Sequence, residues 1–261
     1  MSNLNITLLQ SELHWQNPAA NRTMFAQLIM QQSENSDLIL LPEMFATGFT
    51  MEAAANSESD DGASAIWLQE MAAKYDVTLC GSVVINEKDR YYNRLFWATP
   101  DGKLQHYDKR HLFRMAGEHN KYAAGKKRLI VRLGDWRICP LVCYDLRFPV
   151  WSRGINEYDL LLYVANWPAA RRSAWRTLLP ARAVENLCYS AGVNRIGADG
   201  NDVTYAGDSM VTDYLGNLLG DAADKATALR VSLSLDKLER YRKKFPVWKD
   251  ADQFQITSDH K

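Results

Sequence analysis

Short apolar runs recur along the chain with polar stretches between them. LNITLLQ (4–10), DLILLPEMF (37–45), VTLCGSVVI (77–85), YYNRLFWAT (91–99), WRICPLVC (136–143), DLLLYVAN (159–166) and LCYSAGVNR (187–195) are rich in β-branched and aromatic residues and read as strands. Several are apolar almost without a break, which suggests burial on both faces of a sheet. TPDGKLQ (99–105) sets the pair Asp101-Gly102 between two such runs, a hairpin signal. Three stretches carry apolar residues at helical spacing instead: NPAANRTMFAQLIMQQSE (17–34), GASAIWLQEMAAKYD (62–76) and AWRTLLPARAVENL (174–187). Pro18 suits the start of the first helix. Pro180 predicts that the third starts late or kinks. Strands alternating with helices, together with a hairpin, predict an α/β protein with mixed sheets. No repeat, low-complexity tract or Pro/Gly/Ser linker divides the sequence, so one domain over 1–261 is expected.

Composition narrows the function classes. The 261 residues include 31 Lys plus Arg and 31 Asp plus Glu, a formal net charge of zero. That balance supplies no field for nucleic acid or for an anionic membrane, and neither is expected as a partner. The clusters KKR (126–128) and RYRKK (240–244) are short and read as solvated faces. No window reaches the ~18 apolar residues of a membrane span, and the amino end reads as a first strand and not as a signal peptide. Cys80, Cys139, Cys143 and Cys188 are too sparse for a disulfide scaffold, which favours a reducing cytoplasm.

Cys143 changes the picture. It ends the apolar run of PLVCYDLRFP (140–149), where a sharp strand-to-helix turn would lift its sulfur out of the sheet beside unpaired backbone N–H groups. A buried packing thiol is the competing reading, and it is the one taken for Cys80, Cys139 and Cys188. Glu43, directly after an apolar run and a proline, is costly to bury without a partner. Lys109 and Glu118 lie in the charge-dense stretch HYDKRHLFRMAGEHNKYAAG (106–125), where each alone would pass for a solvated loop residue. Taken together they have chemical logic. A thiol needs a base, a glutamate can be one, a lysine can hold an oxyanion, and a second glutamate can balance that lysine in a dry pocket.

The order and surroundings of these residues resemble the nitrilase superfamily of carbon–nitrogen hydrolases, and within it the omega-amidase branch. The resemblance rests on LLPEMF around Glu43, YDKRHLF around Lys109, GEHNKY around Glu118 and VCYDLRFP around Cys143, and extends through ANWP (165–168), RAVENLCYSAGVNR (182–195) and YAGDSMVTDYLGNLL (205–219). It implies a single carbon–nitrogen hydrolase domain with a four-layer αββα sandwich, mixed sheets and a homodimer. It also implies a mechanism. Glu43 is the base, Cys143 the nucleophile, Lys109 and the backbone N–H of Tyr144 the oxyanion donors, and Glu118 the residue that positions Lys109. The implied substrate is a small dicarboxylate monoamide such as 2-oxoglutaramate or 2-oxosuccinamate.

Other readings stay open at this stage. A nitrile hydrolase or an N-carbamoyl amino acid hydrolase would share the triad. A Cys–His hydrolase could draw on His14, His106, His111 or His119, and in a non-catalytic binding module Cys143 would only pack. The substrate carboxylate calls for an arginine, with Arg147, Arg171 and Arg172 as candidates, and Phe45, Phe113 and Trp167 could wall a pocket. No metal motif and no glycine-rich phosphate loop is present, so no metal and no cofactor is expected. GADGND (197–202) lacks the spacing of a calcium loop and reads as a turn.

Overall fold

The computed structural model describes residues 3–154 and 156–257. The first half of the chain runs β1 (Asn3–Gln10), α1 (Pro18–Gln32), β2 (Leu38–Leu40), α2 (Ala53–Asn56), α3 (Ala63–Tyr75), β3 (Thr78–Glu87), β4 (Arg90–Ala98) and β5 (Leu104–Asp108). The second continues with β6 (Val131–Leu133), β7 (Trp136–Val142), α4 (Pro149–Ser152), β8 (Leu160–Ala165), α5 (Arg172–Asn186) and β9 (Tyr189–Asn194). It then runs β10 (Ile196–Ala198), β11 (Thr204–Ala206), β12 (Met210–Thr212), β13 (Leu218–Asp221), β14 (Thr227–Ser234) and α6 (Leu235–Lys244). Among the described residues two sheets have six strands each, in the orders β14-β1-β2-β3-β4-β5 and β13-β12-β9-β8-β7-β6, and β10 and β11 form a separate ribbon. Each large sheet has a parallel centre, β1-β2-β3 in one and β7-β8-β9 in the other, flanked by antiparallel strands.

Period-two alternation assigns the faces of the first sheet. Leu38, Leu40, Leu95 and Trp97 point inward to a core shared with Leu141 and Leu162 of the second sheet. Their sequence neighbours Ile39, Phe96 and Ala98 point outward and pack with Phe25 and Ile29 of α1 and Leu68 of α3. On the far side α5 lays Trp175 and Leu179, four residues apart, against the second sheet, and Leu238 of α6 joins them. The layers are therefore αββα, as expected.

Local chemistry accounts for the departures from the predicted elements. The run 37–45 predicts one strand, but β2 stops at Leu40. Pro42 has no N–H for a ladder and Met44 turns left-handed at φ 43°, so Glu43 leaves the sheet. Pro180 lies inside α5, which starts at Arg172 and runs through it unbroken, held by the buried face of Trp175, Leu179 and Ala183. RYRKK is not wholly a solvated face. Arg242 is buried and bonds Asp159 at 2.6 Å, and Arg128 of KKR, half-buried, bonds Glu157 at 2.5 Å.

Candidate active site

The C-terminal ends of the central strands converge on one region, the usual place for a ligand crevice in such sheets. Glu43 follows β2, Cys143 follows β7 and Asn166 follows β8, while Lys109 follows β5. Cys143 takes φ 42°, a left-handed value unusual for a residue with a side chain, and opens a short 3-10 helix over Cys143–Arg147. The N–H of Tyr144 lies in the first turn of that helix, where amides lack an intrahelical acceptor. Asp145 fixes this elbow. Its carboxylate accepts from the N–H of Val142 at 3.1 Å, the hydroxyl of Tyr107 at 2.8 Å and the N–H of His111 at 3.0 Å. His111 Nδ1 sits 2.7 Å from the same carboxylate, and its ring stacks on Phe148 at 3.8 Å. One buried carboxylate thus ties the loop after Lys109 to the turn that carries the thiol.

The strand end that presents Lys109 is held from its other side. Arg94 forks onto Asp108 at 2.7 and 3.0 Å. Gly125 lies so close to the backbone of Asp108 that a Cβ would come within 2.0 Å of its carbonyl oxygen, so no other residue fits there. Lys109 itself is 1% exposed. Its ammonium donates to Glu43 at 2.8 Å and to both oxygens of Glu118 at 2.9 and 3.0 Å. Burial opposes that charge, but the Glu118 and Glu43 carboxylates outweigh it and hold the Lys109 pKa above its usual range. Glu118 also accepts from the N–H of Phe113, and burial lifts its pKa against the pull of Lys109.

Glu43 is fully buried and fully occupied. One oxygen accepts from Lys109 and from the Asn93 amide at 2.7 Å, and the other accepts from the N–H of Asn166 at 2.9 Å. The Asn166 side chain donates to the Glu43 carbonyl, so a residue of the second sheet clasps one of the first. Burial, then the neighbouring Glu43 carboxylate, raises the Cys143 thiol pKa well above the ordinary value, with Lys109 pulling the other way. At rest the sulfur is therefore a protonated thiol beside a carboxylate that can take its proton.

A cavity of about 250 Å³ opens on these groups. Cys143, Glu43 and Lys109 form its floor, Phe49, Met51, Phe113, Tyr144 and Trp167 its apolar walls, and Arg147 and Arg171 line it as well. Asp199, Asn201 and Val203, from the turn between β10 and β11, and Tyr205 of β11 complete it. Phe45 is a correction. It is fully buried on the outer face of the first sheet against Phe25 and Trp67, where Gly81 leaves room for its ring, and does not reach the cavity. Arg172 is another, for it points away and bonds Asp208 at 2.6 and 2.8 Å. Among the described residues no histidine lines the cavity: His14, His106 and His119 are exposed, and His111 is engaged by Asp145. Cys80, Cys139 and Cys188 are sealed in the core, and burial pushes the Cys139 thiol up to about 12.

Sequence reasoning missed Asn93, Asp145 as the clamp of the elbow, and the turn at Asp199. Asn93 sits mid-strand in an apolar run, and a buried amide there was the available signal. The turn read in GADGND begins at Asp199, since Gly197 and Ala198 end β10, and it walls the cavity. Among the described residues no group of three His, Cys, Asp or Glu is placed to hold a metal ion, and no helix is long and apolar enough to cross a membrane.

Known proteins share this sequence and fold. The carbon-nitrogen hydrolase family model matches residues 5–243. The omega-amidase YafV of Escherichia coli (strain K12) is 49% identical, over 98% of this chain and 100% of its own. The 2-oxoglutaramate amidase of Bacillus subtilis (strain 168) is 32% identical, over 94% and 96%. The crystal structure of XC1258 from Xanthomonas campestris, a CN-hydrolase superfamily protein with an arsenic adduct in its active site, superposes with a TM-score of 0.96 at 46% identity, over 98% of this chain and 100% of its own. Sandwich and sequence agree, and the chain belongs to the carbon–nitrogen hydrolase family, the nitrilase superfamily.

Proposed function

We propose that the protein is an amidase that hydrolyses the terminal amide of short 2-oxo dicarboxylate monoamides, 2-oxoglutaramate or 2-oxosuccinamate, through a cysteine thioester. One observation carries the mechanism: a single buried lysine ammonium bridges Glu43 and Glu118 on the floor of the cavity that Cys143 also lines. Glu43 takes the thiol proton as the sulfur attacks the amide carbon. The oxyanion that forms is held by the Lys109 ammonium and the N–H of Tyr144. Glu43 returns the proton to the nitrogen, the carbon–nitrogen bond breaks and ammonia leaves. Water, deprotonated by Glu43, then attacks the thioester, and the acid departs as the thiol regains its proton. Glu118 keeps Lys109 aimed and charged. The E. coli and B. subtilis relatives, named as an omega-amidase and a 2-oxoglutaramate amidase, support this substrate class.

The rival substrates, nitriles and N-carbamoyl amino acids, are separated by a panel of kcat/KM values from ammonia release at one pH. The expected leader is 2-oxoglutaramate, ahead of glutamine, a matched nitrile and an N-carbamoyl amino acid. A wide lead for a nitrile or carbamoyl compound overturns the amide assignment while leaving the triad intact. Further proposals are that the chain works as one hydrolase domain, in the cytoplasm, where its four free cysteines stay reduced, and as a homodimer. The exposed Leu215, Leu218 and Phe245 beside the ring stack of Tyr214 and Tyr241 support the dimer, and sedimentation equilibrium tests it.

A further inference from the structure

We infer that Asn194 is a positioning residue of the reaction: its side-chain amide locks the backbone of Trp167 and, through the peptide that precedes it, fixes the grip of Asn166 on Glu43. The inference rests on the proposed amidase reading and adds a residue that touches neither the base nor the thiol. β8 stops at Ala165, whose partner in β9 is Asn194, the last residue of that strand. The chain then leaves the ladder for Asn166 and Trp167, and both are held by other means. Asn166 holds Glu43 through its backbone N–H at 2.9 Å and through its side-chain amide. Asn194 holds Trp167. Its Oδ1 accepts from the Trp167 N–H at 2.7 Å and its Nδ2 donates to the Trp167 carbonyl at 3.0 Å. A neighbouring antiparallel strand would make the same two-bond exchange with one residue. Nδ2 also donates to the Gly207 carbonyl at 2.8 Å, so both amide protons and the oxygen are engaged.

Asn194 is itself pinned. Its backbone N–H donates to Ser209 Oγ at 2.9 Å, and that hydroxyl donates back to the Asn194 carbonyl at 3.3 Å. The Ser209 N–H donates to Oε1 of Gln10 at 2.8 Å, at the end of β1. Gln10 Nε2 is anchored in turn on the carbonyls of Ala223 and Lys225 at 2.8 and 2.9 Å. Gln10, Ser209 and Asn194 are at most 2% exposed, so water does not compete for these bonds. A fully satisfied buried network of this kind is rigid. It runs from the first sheet to the peptide that carries both the clasp on the base and the Trp167 wall of the cavity. A shift of that peptide moves both.

The test sets Asn194→Ala against Asn186→Ala. Asn186 is also a buried side-chain amide, donating to the Arg182 carbonyl at 2.9 Å and accepting from the Gly154 N–H at 3.0 Å, but none of its partners lines the cavity. Both substitutions strip partners from buried backbone groups and should cost stability. Two rates are measured on folded protein, well below the melting temperature of each variant. One is kcat for ammonia release from 2-oxoglutaramate. The other is alkylation of Cys143 by iodoacetamide, which draws on Glu43 for the thiol proton but needs no turnover. Asn194→Ala should lower both roughly tenfold to a hundredfold, since a misplacement of about 1 Å can cost that much. Asn186→Ala should lower neither. In an Asn166→Ala background the further loss from Asn194→Ala should shrink to less than about threefold, the mark of two residues acting through one contact. Ser209→Ala, which frees only the Asn194 backbone, should give a smaller loss of the same kind, and it decides the matter if Asn194→Ala does not fold. Equal losses in Asn194→Ala and Asn186→Ala, a loss that is the same with and without Asn166, or wild-type rates in Ser209→Ala overturn the positioning role and leave the amidase reading standing. A wild type that releases no ammonia, while Cys143 alkylation still falls in Asn194→Ala and not in Asn186→Ala, sinks the amidase reading and keeps the positioning role.

Discussion

Replacing Lys109 with Met removes one charge and leaves two. Glu43 and Glu118 are both 0% exposed, and each lies within 3.0 Å of the same ammonium. Without it they face one another in a dry site. Breaking a buried ion pair by deleting one partner costs about 3–5 kcal/mol, because the remaining charge has no compensation. For a chain of this size that lowers the melting temperature by roughly 6–20 °C at pH 8. The pH dependence identifies the cause. Burial already holds the Glu118 pKa up, Lys109 opposes that shift, and Glu43 adds to it. In the variant the pull of the ammonium is gone and only the Phe113 N–H still opposes the rise, so the folded pKa stands further above the unfolded value of about 4.3. A carboxyl raised in this way binds its proton more tightly when folded, and its contribution to stability falls as pH rises. The deficit should therefore be largest at pH 8 and shrink steadily toward pH 5. Thermal melts of both proteins across that range measure it. Turnover of 2-oxoglutaramate should fall at every pH by roughly a hundredfold or more, the loss of one oxyanion donor at about 3 kcal/mol. A variant that melts with the wild type at pH 8, or whose deficit does not change with pH, refutes the account of the site as a buried carboxylate–ammonium–carboxylate array.

Three further outcomes follow from the same geometry. Iodoacetamide should label Cys143 before the other thiols, since it alone borders the cavity at 8% exposed while Cys80, Cys139 and Cys188 are at 0%, and Cys143→Ala should fold but lose turnover; peptide mapping and ammonia release check this, and an active Cys143→Ala ends the mechanism. Glu43→Gln cannot accept the thiol proton, so intact-mass measurement on mixing with substrate should find no acyl adduct, and an adduct formed at the wild-type rate would remove Glu43 as base. Asp145→Asn keeps only one of two accepting oxygens for the four contacts made at Val142, Tyr107 and His111, and should cost about 1–3 kcal/mol in a denaturant melt and about tenfold in kcat; an unchanged kcat would show that the elbow stands without it.

Much of the fold was legible because alternation and helical spacing are local signals. β1, β4, β7, β8 and β9 fall within a residue or two of the runs that predict them, as do α1 and α3. The short strands β10 to β13 were not legible, because three or four residues carry too little periodicity to stand out. β14 was missed although TALRVSLS alternates, since its partner β1 lies more than 200 residues away and only that pairing makes it a sheet edge. The roles of Glu43, Lys109 and Cys143 were suggested by residue type and sequence context, and the fold brings all three together. Their supports were invisible for a physical reason. Asn93 and Asp145 act through contacts with residues 50 and 38 positions away, which no local pattern encodes. Phe45 and Phe49 show the same limit from the other side: both flank the Glu43 turn, yet only Phe49 reaches the cavity.

The grip of Asn166 on Glu43 has a wider consequence. The base belongs to one sheet and the nucleophile to the other, so the gap between them is a coordinate of the seam and not of either sheet. Backbone ladders hold each sheet rigid, but most of the seam is apolar contact, which has no preferred direction and lets the layers slip, so its alignment rests on polar ties such as Asn166 to Glu43 and Tyr107 to Asp145. The clasp works as a dowel, converting a slippery contact into a fixed alignment. Catalysis then serves as a gauge of that alignment. Leu40→Ala, in the seam three residues before Glu43, and Leu68→Ala, beneath the outer helix α3, remove the same atoms from fully buried sites and should cost similar stability. Only the first should also depress kcat. Equal kcat in the two variants would mean that the dowel holds even when the layers around it are loosened.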